Sequence, residues 1–123
     1  MTMTGEYFFD TYALVEILNG NRNYAPFALT EGTTGMLNLA ELAVYLKKRM
    51  EPSKADEFLE KLSVSSAQMS LEDIKAASSL KLKYRDLSLA DAIGYCMAER
   101  MGLKFLTGDN DFEKMPNVEY IKK

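Results

Sequence analysis

Tyr7-Phe8-Phe9 is a run of large aromatic residues that stops on Asp10, and similar events recur along the chain: a short apolar or β-branched run gives way to a polar residue able to start a helix. After Asp10, the residues Ala13, Leu14, Ile17 and Leu18 fall on one helical face, and Asn19-Gly20 is a helix-ending signal. The opening reads as a strand, a cap and a helix. Thr33-Thr34-Gly35-Met36-Leu37 predicts a second strand leading into Asn38. Leu39, Leu42, Ala43 and Leu46 then predict a helix to about Met50, where Pro52 blocks continuation. Ser53 is the expected cap of a helix striped by Ala55, Phe58, Leu59 and Leu62, and part of Val64 to Met69 reads as a third strand. Ser70 starts a helix to about Tyr84. Ser88 starts another through Met101, ended by Gly102. Lys104-Phe105-Leu106-Thr107 is the fourth predicted strand, and the alternating Val118-Glu119-Tyr120-Ile121 reads as a fifth, at the edge. Residues 21 to 32, interrupted by Pro26, predict only a short helical turn packed by Tyr24 and Phe27.

Strands that alternate with helices specify a parallel sheet covered on both faces. The expected fold is α/β, a three-layer α/β/α arrangement with a mainly parallel sheet of four to five strands, and residues 1–123 read as one domain. A composition 47% hydrophobic and 27% charged supports a packed core rather than a disordered chain. No apolar run approaches the roughly 20 residues of a membrane span, and Met1 to Glu6 lack the pattern of a signal peptide, so a cytoplasmic protein is expected.

Composition also removes whole classes of chemistry. Histidine is absent, which excludes Ser-His and Cys-His catalysis and histidine metal ligands, and the lone Cys96 sits in a helical apolar pattern as a small buried hydrophobe. Carboxylates remain. Asp10, Asn38 with Glu41, and Thr107 with Asp109 all lie at or just past the C-terminal ends of predicted strands, where open parallel sheets bind ligands. Asp91, in Ser88-x-x-Asp91, opens a helix. If Asp10, Glu41, Asp91 and Asp109 meet, their charges need cations, and hard oxygen donors without histidine or thiolate suit Mg²⁺ or Mn²⁺.

Each acid also has a plain structural explanation. Asn38-x-x-Glu41 and Ser88-x-x-Asp91 match the capping box, as does Ser70-Leu71-Glu72-Asp73 at a third helix start away from the predicted sheet edge. Thr107 to Phe112 has turn composition. Asp10 follows two phenylalanines, where an unpaired buried carboxylate is costly, and it can also serve as an N-cap. Lys47-Lys48-Arg49 and Lys81-x-Lys83-x-Arg85 could guide a polyanion or simply favour helix C-termini.

Asp10-Thr11 after an apolar strand, Asn38-x-x-Glu41, Ser88-x-x-Asp91-Ala92 and Thr107-x-Asp109-x-Asp111-Phe112 together resemble the motifs of the PIN domain, the PilT N-terminal type of metal-dependent ribonuclease. The resemblance spans essentially the whole chain, and its compact size is similar to the VapC toxins of toxin-antitoxin pairs. It implies in-line hydrolysis of RNA phosphodiesters. Asp10, Glu41, Asp91 and Asp109 would hold Mg²⁺ or Mn²⁺ directly or through water, with Asp111 as an additional ligand or outer group. Thr11, Asn38, Ser88 and Thr107 would orient ligands or water. It further implies a homodimer and a small antitoxin whose tail covers the acidic site. Two other readings compete. One is a catalytically silent PIN-like binding or scaffold subunit whose acids are only caps. The other is a phosphatase or nucleotide hydrolase, which fits the acids but lacks a glycine-rich phosphate loop.

Overall fold

In the computed structural model, residues 6–28 and 32–122 are described. The reading of Met1 to Gly5 as non-signal sequence and residues 29–31 of the irregular stretch lie outside them. The chain runs β1 (Tyr7–Phe9), α1 (Thr11–Leu18), a 3₁₀ turn at Arg22–Tyr24 continuing into α2 (Ala25–Ala28), β2 (Gly32–Gly35) and α3 (Met36–Lys47). It continues through α4 (Pro52–Ser63), β3 (Ser66–Ala67), α5 (Leu71–Lys83), α6 (Leu89–Arg100), β4 (Lys104–Thr107), a 3₁₀ turn at Asn110–Phe112 and β5 (Val118–Tyr120). The strand order is β3-β2-β1-β4-β5, and every pairing is parallel. The expected α/β fold is therefore present, with β5 at an edge.

The strand period of two divides the core between two faces. Phe8 and Phe105, stacked with ring centroids 5.9 Å apart, point into a cluster with Ala92, Tyr95 and Ala98 of α6 and Ala77 of α5. Their neighbours Tyr7, Phe9 and Leu106 face the other way, onto Ala13 and Ile17 of α1 and onto Tyr24. Leu14 extends that second layer onto Leu39, Leu42 and Leu46 of α3 and Ala55 of α4. The chain builds β1, β2 and β3 outward in one direction, then returns to place β4 on the other side of β1. The strand order thus reverses between β1 and β4, and a crevice forms beyond their C-terminal ends.

Three boundaries differ from expectation. Strand β2 ends at Gly35, and Met36 and Leu37 belong to α3, so Asn38 lies within the first turn of that helix rather than before it. The N-cap is Gly35, which supplies no side-chain hydrogen bond; the capping box expected for Asn38 and Glu41 does not form. Pro52 is the first residue of α4 instead of only a barrier after α3, because its fixed φ suits the first helical turn, and Glu51 rather than Ser53 precedes it as N-cap. Helix α3 ends at Lys47, before the expected Met50.

Candidate functional site at the β1/β4 switch point

Asp10 sits where β1 becomes α1. Its amide still continues the sheet by donating to the Leu106 carbonyl (3.0 Å), while its carboxylate Oδ1 accepts the Thr11 amide (2.9 Å) as an N-cap. The side chain is 2% exposed. Thr107, the last residue of β4 and fully buried, donates its hydroxyl to Asp10 Oδ2 at 2.7 Å. Asn38 Nδ2 reaches Asp10 Oδ1 at 3.4 Å and Thr11 Oγ1 at 3.1 Å. That amide fits beneath the crevice because Gly35 and Gly94 bracket it: a Cβ on Gly35 would lie 2.9 Å from Asn38 Oδ1, and one on Gly94 3.4 Å from it.

The other acids enter from three further elements. Glu41, one helical turn after Asn38, accepts the Thr11 hydroxyl at 2.8 Å. Asp91 forms the capping box of α6, with its amide donating to Ser88 Oγ (3.0 Å) and its carboxylate accepting the Ser88 amide (3.3 Å). Asp109 is anchored by its amide, which donates to Thr107 Oγ1 at 3.1 Å. Asp10, Glu41, Asp91 and Asp109 all line one open cleft of about 290 Å³, together with Thr11. Asp111 does not line it; this exposed residue donates its amide to Asp109 Oδ1 (3.0 Å) and so stiffens the loop. Ser88 is an exposed cap that acts on the cleft through Asp91.

Electrostatics mark the cleft as a place where negative charge is held against its preference. Burial pushes the Asp10 carboxyl up to about 7; the Thr107 and Thr11 hydrogen bonds oppose the shift, and the charges of Asp91 and Glu41 add to it. Burial, with Asp109 nearby, also raises Asp91. The donors that face the cleft are oxygens. Among the described residues no three carboxylates or thiols converge closely enough to hold one ion directly. Such a donor set fits a hydrated hard cation, because Mg²⁺ keeps several waters and takes one or two carboxylates.

Besides the apolar Val15, two polar cleft residues escaped the sequence reading. Glu16 is 6% exposed, lines the cleft and accepts a 2.7 Å hydrogen bond from Asn21 Nδ2, while Leu18, expected on the buried face, is 39% exposed. Tyr12 lines the cleft beside it. Helix α1 carries its buried face over Ala13 and Leu14 and ends at Leu18, so periodicity alone could not show that Glu16 turns toward Asn21. The capping pair Ser70-Asp73 also has a context the sequence did not reveal: Asp73 is buried and held by Arg100 of α6 through bonds of 2.8 and 3.0 Å.

No curated protein sequence matches the chain. Solved structures do. A toxin-antitoxin complex from Klebsiella pneumoniae aligns with a TM-score of 0.75 and 24% identity, covering 92% of this chain and 95% of that one. VapC20 of Mycobacterium tuberculosis, a toxin that cleaves the sarcin-ricin loop, aligns with a TM-score of 0.77 and 17% identity over 94% and 98% of the two chains. DNA-bound VapBC from Salmonella typhimurium gives 0.74 and 15% over 97% and 98%. At such identities the likeness is one of fold. The family profile is more direct, since that of the PIN domain matches residues 7–118, from the first residue of β1 to the first of β5. The chain belongs to the PIN domain family.

Proposed function

We propose that this protein is a metal-dependent ribonuclease that hydrolyses RNA phosphodiesters, and that it is the toxin of a VapBC-type pair. The observation that carries the proposal is Asp10: a 2%-exposed carboxylate with both oxygens hydrogen-bonded, opening onto a cleft that Glu41, Asp91 and Asp109 also line. Each of these acids also caps or ties a local element, but gathered at one cleft their like charges repel one another, and a bound Mg²⁺ or Mn²⁺ would offset them. When bound, such an ion lowers the pKa of a coordinated water and offsets charge on the phosphate under attack.

The chain's own groups supply positioning. Thr107 fixes one Asp10 oxygen, and the Thr11 amide with Asn38 holds the other, so this anchor is aimed before any ligand arrives. The Thr11 hydroxyl ties Glu41 to the same unit. Asp91 and Asp109 close the opposite side, each fixed by its own backbone amide.

Partner binding belongs to the same proposal. Leu71, Ile74 and Leu82 on α5 are 63%, 43% and 77% exposed and share a helical stripe, which supports burial against a second copy in a homodimer. A small antitoxin would cover the acidic cleft. The deciding experiment is incubation of a mixed RNA panel with protein plus Mg²⁺ or Mn²⁺, with chelator, and with Asp10→Asn. Cleavage is expected only with metal and wild-type protein. Cutting that persists in chelator or in the variant defeats the carboxylate mechanism, and an uncut panel favours the silent binding subunit.

A further inference from the structure

A second pocket, of about 330 Å³, adjoins the acidic cleft and shares Tyr12 and Asp109 with it. Its remaining walls are Gly108, Asn110, Tyr120 and Lys122. Sheet register explains the placement. Tyr120 of β5 pairs directly with Thr107 of β4, the residue that holds Asp10, and the Ile121 amide donates to the Thr107 carbonyl at 2.9 Å. The Tyr12 ring is seated against bare backbone: a Cβ on Gly108 would collide with that ring and with the Tyr24 hydroxyl. Tyr24 in turn donates to the Ile121 carbonyl at 2.7 Å, and Asn23 Nδ2 to the Lys122 carbonyl at 3.1 Å, so the segment after β5 is tied down. Among the described residues the Tyr12 and Tyr120 hydroxyls make no hydrogen bond, their rings enter no stacked pair, and the Lys122 ammonium has no ion pair.

We infer that this pocket is a nucleotide subsite, in which the base flanking the scissile phosphate packs on Tyr12 and Tyr120 while Lys122 meets the adjacent backbone phosphate. The inference rests on the ribonuclease reading of the neighbouring cleft. Packing on these rings requires that the base be unpaired at this position. Aromatic walls accept any base face. A single ammonium beside a carboxylate-rich cleft fixes the register of the strand, drawing one phosphate to Lys122 and leaving the next over Asp10 and Asp109.

The probe is an oligoribonucleotide that the panel shows to be cut, labelled with fluorescein and bound to protein carrying Asp10→Asn so that it stays whole. Adding Tyr120→Leu is expected to weaken binding roughly 5- to 150-fold, the range for loss of one stacked base, whereas Tyr120→Phe retains it. With an abasic residue at the subsite, on one side of the cut, Tyr120→Leu is expected to make no further difference. Lys122→Gln, on the surface, should reduce the slope of log affinity against log salt by about 0.7. Equal losses on intact and abasic RNA at both flanking positions, or an unchanged salt slope, would overturn the subsite while leaving the ribonuclease intact. A panel in which wild-type protein cuts nothing removes both.

Discussion

Asp10 and Asp73 are both buried aspartates at helix starts, and their opposite environments separate a strained acid from a satisfied one. Burial raises Asp10 from its ordinary 3.8 to about 7. Between those values the metal-free folded protein binds more protons than the unfolded chain, so its stability falls as pH rises from about 4 to about 7 and then levels off. The shift sets an upper bound of about 4 kcal/mol on the penalty above pH 7. In chelator, Asp10→Asn is therefore expected to raise the urea midpoint at pH 8 and to lose that advantage at pH 4. Equal destabilisation at both pH values would mean that the lost hydrogen-bond geometry outweighs the charge. For Asp73 burial also disfavours the charge, but the Arg100 hydrogen bond and those to Ser70 outweigh it and hold the carboxyl below its ordinary value. Its contribution is present above about pH 4 and is lost as pH falls through the lowered value. Since Arg100 is 41% exposed, the pair is discounted for screening, and Asp73→Ala, which also removes a cap, is expected to cost about 1–3 kcal/mol in urea unfolding with RNA cleavage unchanged.

At the scale of elements, the β2–α3 junction shows what local pattern can and cannot decide. Asn38-x-x-Glu41 has the form of a capping box, yet α3 starts at Met36 and the Asn38 side chain points inward. The true start was illegible because Gly35 is an N-cap without a side chain, chosen for clearance: a Cβ there would lie 2.9 Å from Asn38 Oδ1 and 3.2 Å from the Phe8 ring. Such crowding is a tertiary fact. By contrast, α6, α5 and β4 were readable because capping boxes and an aromatic-aliphatic run are local signals whose outcome packing reinforces. Gly35→Ala is thus expected to destabilise by about 1–3 kcal/mol, more than a cap change alone, because Asn38 or Phe8 must give way. The same variant should lower RNA cleavage beyond the loss of folded protein, measured at a temperature where circular dichroism shows it fully folded. Unchanged cleavage would mean that Asn38 does not position Asp10.

For the molecule as a whole, the order of strands was more legible than the balance of charge. Alternation of strand and helix specified a parallel sheet, and the chain's return from β3 to β4 placed the acids of distant segments at one crevice. What the net charge of −3 did not reveal is its distribution, with five carboxylates, those of Asp10, Glu16, Glu41, Asp91 and Asp109, lining one cleft of a small fold. That concentration links folding to cation binding, since an ion that binds only the folded state stabilises it by mass action. With a dissociation constant on the order of 1 mM, 10 mM Mg²⁺ contributes about 1.4 kcal/mol, or roughly 3–6 °C in Tm for a domain of this size. At pH 7.5 wild-type protein is expected to show this rise over a KCl control of equal ionic strength. Asp10→Asn should show less than about 1 °C, because the ion loses its buried anchor while general screening is unchanged. A rise of the same size in the variant would place the cation elsewhere on the acidic surface, and a rise matched by KCl would reduce the effect to relief of charge repulsion without a bound ion.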